Sequence, residues 1–203
     1  MDKIYYELGH LYLKKADKIH AVSAFKLAEE LNPENPYYNN SLAYAYVKAE
    51  LYDDAIEYYQ KAIKLNPDSE WTSIVCHALG AIYAEIKENY QAAEATFNAG
   101  MVLDPNNVDI QLSLGDLFMA QNDLDKAIKT YCDAQNIEIE YLSTADLETD
   151  FSALNEKLLT KEYAGVLFQS PNYFGSVEKL PNELAEVFKE TKTLLIQYVD
   201  LIS

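Results

Sequence analysis

The sequence contains no arginine, because all 16 of its basic residues are lysines. Its 33 acidic residues give a formal net charge of −17 at pH 7. A chain of this charge is repelled by nucleic-acid phosphates and by anionic membrane surfaces, so neither is a predicted partner. The missing guanidinium group also excludes an arginine finger and a bidentate clamp on a carboxylate.

Glycine, proline and cysteine are scarce as well, with six, six and two residues respectively. A secreted disulfide scaffold needs more than two distant cysteines, so we expect Cys76 and Cys132 to be reduced thiols of a cytoplasmic protein. Residues 1–18 lack the features of a signal peptide, and no run approaches the roughly 20 apolar residues of a membrane span. The three histidines are scattered and no Cys-x-x-Cys occurs, so no metal site is predicted.

An internal repeat occupies residues 1–137. Six landmarks of the first copy return 34 residues later in the same chemical class, and return again in a third and a fourth copy. In the first copy they are Leu8-Gly9, Tyr12, Ala21, Phe25, Ala28 and Pro33. The third copy has one extra residue between Tyr83 and Ala93, and the fourth has Ile139 in place of the proline.

Each copy contains two apolar-periodic runs at helical spacing, which predict a pair of amphipathic helices joined by a short polar turn. A small residue in the first helix and an alanine in the second allow the two backbones to approach closely, and aromatic side chains fill the remaining space. Prolines after Asn32, Asn66 and Asp104 end the second helix, because a residue before proline is disfavoured in the helical region. Pro36 can open the next helix in its first turn.

This pattern resembles the tetratricopeptide repeat. The resemblance implies a mainly α fold for residues 1–137, a superhelix of about four helix pairs whose first helices line a concave groove. Solenoids of this kind are usually binding scaffolds rather than enzymes. We therefore expect a scaffold that binds a protein or peptide in its groove, performs no catalysis and needs no cofactor.

The first helices leave one face free after the packing positions are assigned. This face is rich in tyrosine and in side chains with hydrogen-bonding tips, which suits an extended peptide or a helix. The candidate groove residues are Tyr6, His10, Lys14, Tyr37, Asn40, Tyr44, Lys48 and His77. Ala81, Leu112 and Asp116 continue the same face in the third and fourth copies.

Residues 138–203 follow a different pattern, which predicts a small α/β segment of order β-α-β-α-β. Alternation predicts a strand over 137–141. Helical spacing predicts a helix over 146–159, and a continuous apolar run predicts a buried strand over 164–168. Turn residues follow at 170–175, then a helix over 180–191 and a strand over 194–199. We expect this segment to cap the fourth repeat, because a solenoid needs a polar cover on its last helix pair.

A second resemblance lies in the run Gln169-Ser170-Pro171-Asn172-Tyr173-Phe174-Gly175, which is similar to a motif of glycine dehydrogenase (decarboxylating), a pyridoxal-phosphate enzyme of the glycine cleavage system. Asp200, after the last predicted strand, resembles the aspartate that holds the pyridine nitrogen in that family. No residue here corresponds to the Schiff-base lysine, which the family carries further downstream. We therefore expect a truncated piece of that enzyme without its activity. The alternative function is an assembly or regulatory module associated with glycine cleavage.

Overall fold

The structure, a computed structural model, describes residues 1–67, 69–135, 137, 144–145, 148–149, 156, 165–169 and 194–198. The chain divides into two compact units, Met1–Ile139 and Glu140–Ser203. The regular elements in the described part of the first unit are all helices, and these helices follow one another in pairs. They are α1 Asp2–Lys14, α2 Lys18–Leu31, α3 Pro36–Lys48, α4 Tyr52–Leu65, α5 Glu70–Ala81, α6 Tyr90–Leu103, α7 Val108–Ala120 and α8 Leu124–Ala134.

Polar side chains fix where most of these helices begin. Six of the eight are preceded by an Asp, Asn or Ser whose side chain accepts a hydrogen bond from a backbone N–H in the first turn. Such capping satisfies a donor that has no partner inside the helix. Pro36 is the first residue of α3, as its position in the sequence predicts, and Asp53 and Asp54 lie in the first turn of α4, where the helix dipole favours negative charge.

In three of the four helix pairs, a glycine of the first helix lies directly against an aromatic ring of the second. A Cβ atom on Gly9 would fall within 3.0 Å of the Phe25 ring, and the same holds for Gly80 against Phe97. Gly115 faces Tyr131 of α8 in the same way. The small landmark of the first helix therefore accommodates the aromatic landmark of the second directly. This close contact explains why the two landmarks recur together.

The extra residue of the third copy is accommodated in a π-helical turn, Ile82–Ile86, at the end of α5. The backbone N–H of Lys87 donates to the carbonyl of Ile82, five residues earlier, at 3.1 Å. A π-turn holds one more residue than an α-turn, so α6 begins in register with the other second helices despite the insertion. Tyr83, inside this turn, packs against both apolar core clusters of the helical unit.

The second unit contains two pairs of strands among its described residues. β1 Thr144–Ala145 and β2 Glu148–Thr149 are antiparallel. β3 Gly165–Gln169 and β4 Leu194–Tyr198 are parallel, with Gly165 opposite Leu194 and Gln169 opposite Tyr198. The helix predicted over 146–159 is wrong at its start, because residues 148–149 pair as a strand.

Other predictions for the second unit lie outside the described residues. They are most of the strand over 137–141, the turn over 170–175 and the helix over 180–191. Within the first of these segments, Ile137 alone is described, and it is exposed and in no regular element. The β-α-β-α-β order therefore stays a prediction.

Candidate peptide-binding groove

The eight predicted groove residues all lie on first helices of the pairs. α1 carries Tyr6, His10 and Lys14, α3 carries Tyr37, Asn40, Tyr44 and Lys48, and α5 carries His77. They differ in how much of each side chain a ligand could contact. Lys14, Tyr37, Tyr44 and Lys48 are exposed, whereas Tyr6, His10, Asn40 and His77 are partly buried.

Tyr6 and His10 serve the packing of the first repeat. Their rings meet edge to face at 4.6 Å between centroids, and the His10 ring lies 5.0 Å from that of Phe25 in α2. The Tyr6 ring is 4.9 Å from that of Tyr38 in α3. The Tyr38 hydroxyl in turn donates to the Asp2 carboxylate at 3.3 Å. At this end of the groove the aromatic side chains therefore pack against one another, and a ligand could contact only part of each ring.

Tyr37 and Tyr44 form the exposed part of the strip on α3, at 49% and 43% relative exposure. The Tyr37 ring lies 4.6 Å from the Trp71 ring of α5, so the two first helices share an aromatic contact. The Lys48 Nζ lies 4.9 Å above the centre of the Tyr44 ring, in cation–π geometry. Trp71 was not among the predicted residues, although it is the only tryptophan of the chain.

His77 connects the third repeat to the fourth. Its Nε2 atom lies 3.0 Å from the Ser113 Oγ of α7, and its ring lies 6.2 Å from that of Phe97. The imidazole therefore joins two successive first helices. A ligand at this position would meet the edge of an imidazole already fixed by Ser113.

A pocket opens beside this contact, between the end of α5, its π-turn and α7. Apolar side chains form much of its lining, and three carboxylates belong to Glu85, Glu88 and Asp116. The full lining is Ala81, Ala84, Glu85, Glu88, Tyr90, Phe97, Ser113, Asp116, Leu117 and Ala120. Sequence reasoning found Ala81 and Asp116 but missed Glu85 and Glu88. The available signal was the one-residue insertion that puts Glu85 in the π-turn and Glu88 just after it.

The Asp116 carboxylate is oriented by its neighbour Tyr131. The Tyr131 hydroxyl donates to Asp116 Oδ1 at 2.5 Å. Burial, together with this hydrogen bond and the negative charge of Asp116, raises the pKa of Tyr131 to about 12. The phenol therefore keeps its proton, and can donate this hydrogen bond, up to a higher pH than an ordinary tyrosine.

The part of the chain that the structure describes contains neither a metal site nor a membrane-spanning helix. There, no group of three or more His, Cys, Asp or Glu side chains could hold a metal ion. No helix there is both long enough and apolar enough to span a bilayer. Both cysteines are free thiols, and burial raises the pKa of Cys76.

Comparison with family models assigns the helical unit. Three models described as tetratricopeptide repeat match residues 2–35, 36–101 and 81–136. Residues 2–136 belong to the tetratricopeptide repeat family. The chain also resembles the BBSome complex member BBS4 of Bos taurus, with 35% identity over 132 residues, which are 64% of this chain and 21% of that protein.

Solved structures share the fold of the helical unit. The crystal structure of MamA matches with a TM-score of 0.62 and 20% identity, covering 66% of this chain and 77% of that chain. The first TPR of Spaghetti (RPAP3), bound to the HSP90 peptide SRMEEVD, matches with a TM-score of 0.55 and 20% identity, covering 60% of this chain and 93% of that one.

A second group of relatives consists of proteins described as probable glycine dehydrogenase subunits. The probable glycine dehydrogenase (decarboxylating) subunit 1 of Listeria welshimeri is 41% identical over 69 residues, which are 34% of this chain. This chain covers only 15% of the length of that relative.

Proposed function

We propose that the tetratricopeptide unit is a non-catalytic scaffold that binds a peptide or a peptide-like segment of a protein along its first helices. The observation that carries the proposal is the row of exposed apolar and aromatic side chains on those helices. They are Tyr37 and Tyr44 on α3, Ile74 on α5, and Leu112 and Met119 on α7. A similar fold binds a short peptide in the RPAP3 structure. The two free cysteines favour a reducing, cytoplasmic location.

Tyr37 and Tyr44 are the proposed anchors. Each presents a rigid ring with a polar tip. Trp71 already contacts Tyr37 and Lys48 already contacts Tyr44, so binding costs little additional side-chain entropy. Six further side chains complete the proposed site, either by packing beside the anchors or by offering hydrogen-bonding groups to the ligand. They are Tyr6, His10, Lys14, Asn40, Lys48 and His77. Truncating an interface anchor of this kind costs about 1–2 kcal/mol or more, which weakens binding about tenfold.

Selection of binding peptides from a random phage-displayed library on the immobilised full chain tests the proposal. Enriched peptides, made synthetically and labelled, should lose affinity about tenfold or more for Tyr37→Ala with Tyr44→Ala. Leu27→Ala with Leu51→Ala is the matched control, because these side chains lie outside the first helices and are 42% and 48% exposed. If no peptide is enriched, or if the control weakens binding equally, the groove is not the binding site.

A second function is favoured by the glycine dehydrogenase match. Under it, the chain assists assembly or regulation of a glycine decarboxylase through residues 138–203. This function would be supported if the full chain copurifies with the glycine dehydrogenase subunits of its own source and if removal of residues 138–203 abolishes the copurification. We expect no bound pyridoxal phosphate, so borohydride should abolish no visible absorbance band in the purified chain.

A further inference from the structure

The two halves of the repeat array differ sharply in charge. Residues 1–64 contain eight lysines and ten acidic residues, whereas residues 65–134 contain three lysines and eleven acidic residues. Of these three lysines, Lys87 has its Nζ 2.5 Å from Asp53 Oδ1 of α4, and Lys126 has its Nζ 2.8 Å from Asp123 Oδ2. The third and fourth repeats therefore offer a strongly negative surface, while the exposed face of the first two carries Lys14 and Lys48.

The pocket between α5 and α7 concentrates this negative charge beside an apolar floor. Glu85, Glu88 and Asp116 are its charged side chains, and no lysine is among its lining residues. Ala81, Ala84, Phe97, Leu117 and Ala120 supply the apolar lining. Such a combination fits a side chain with a hydrocarbon stem and a cationic tip, because the stem lies on apolar surface while the tip reaches the carboxylates.

The carboxylate of Asp116 is prepared for such a ligand. Its Oδ1 atom already accepts the Tyr131 hydroxyl, which restrains this carboxylate at the pocket that Asp116 lines. Ser113 and His77 fix each other on the neighbouring edge. A cation placed here meets one carboxylate, that of Asp116, which is already oriented, so this group needs little reorganisation on binding.

We infer that this pocket binds a lysine or arginine side chain from the partner segment, so that the groove selects a segment with basic and apolar residues for its third and fourth repeats. The inference rests on the proposed function and adds the chemistry of the ligand. Leu112 and Met119, exposed on α7, flank the pocket along the same strip and take the apolar neighbours of the cationic residue. An acidic segment at this end would face three carboxylates and be repelled.

The test uses the library-selected peptides, each labelled and titrated against the full chain. The variant Glu85→Gln with Asp116→Asn removes two charges and keeps the size of both side chains, and Asn can still accept from Tyr131. The matched control is Glu70→Gln with Asp125→Asn, which removes the same charge from exposed first-turn positions of α5 and α8. Both variants are checked by circular dichroism for unchanged helicity.

We expect the selected peptides to be enriched in lysine or arginine. The pocket variant should weaken their binding about tenfold or more, and the control about twofold or less, because distant exposed charges are screened. Replacing the basic residues of the peptide by glutamine should weaken binding to the wild type and not to the pocket variant. If the pocket variant and the control lose the same amount of binding affinity, the effect is general charge attraction and the inference is wrong.

The outcomes also separate the inference from the proposed function. If peptides without basic residues are selected and depend on Tyr37 and Tyr44 but not on Glu85 and Asp116, the groove binds peptides and the cation pocket is wrong. If no peptide is selected at all, both proposals fail together.

Discussion

The turn inside each repeat places a residue that has a side chain in the left-handed backbone region. The φ angles are 57° at Ala16, 64° at Glu50, 50° at Glu88 and 59° at Asn122. In this region a Cβ atom approaches the following carbonyl oxygen, at a cost of about 1–2 kcal/mol. Glycine removes that cost but loses more backbone entropy on folding, about 0.5–1 kcal/mol. Ala16→Gly should therefore raise the free energy of unfolding by about 0.5–1 kcal/mol.

The same chemical change at a helical position gives the control. Ala95 is exposed and lies within α6, so Ala95→Gly should lower the free energy of unfolding by about 1 kcal/mol. Urea titrations followed by far-ultraviolet circular dichroism compare the two variants with the wild type. The decisive observation is the opposite sign of the two changes. If Ala16→Gly destabilises the protein as Ala95→Gly does, the turn does not store the strain that its φ angle indicates.

The other turns extend this test to different side chains. Glu50→Gly should stabilise about as much as Ala16→Gly, because the Glu50–Lys18 contact is 3.7 Å long and its carboxylate side chain is 74% exposed. Asn122→Gly should gain less, since asparagine tolerates the left-handed region better than other residues with a Cβ atom. A larger gain at Asn122 than at Ala16 would contradict this explanation.

Two further predictions concern pH and the second unit. The pKa of Tyr131 is raised in the fold, so its contribution to stability is complete below pH 10 and is lost as the pH rises towards 12. The difference in free energy of unfolding between the wild type and Tyr131→Phe should therefore narrow or reverse over that interval. A difference that stays constant in urea titrations across this pH range would refute the prediction. Ending the chain after residue 136 should lower the melting temperature or cause aggregation if residues 138–203 cap the fourth repeat, and an equally soluble fragment with the same melting temperature would show an independent appendage.

The sequence was sufficient to predict the helical unit because its landmarks are packing residues. Gly9 and Phe25 are separated by the same interval as Gly115 and Tyr131, and each glycine lies directly against its ring, so the spacing itself encodes the helix pair. The proline at the start of α3 and the carboxylates at the start of α4 mark helix ends by local chemistry. Local signals of this kind can be read without knowing the tertiary structure.

The groove was harder to predict, because exposure depends on what a neighbouring helix covers. Tyr6 and His10 occupy the predicted face, yet their rings pack on Tyr38 and Phe25 and are only partly accessible. Glu85 and Glu88 were missed because the usual spacing does not extend through an insertion. In the second unit the predicted helix over 146–159 is wrong at Glu148–Thr149, where β pairing prevails over an apparent helical spacing.

The π-turn has a consequence for how the array comes apart. Tyr83 lies within it and packs against both core clusters, one in the first three repeats and one in the last two, so it connects the two clusters. In a linear array each repeat contacts only its neighbours, so coupling between distant repeats depends on the contacts that lie between them. Because the Gly80–Phe97 contact also holds α5 against α6 across this turn, we expect the two clusters to unfold together in urea titrations rather than one after the other.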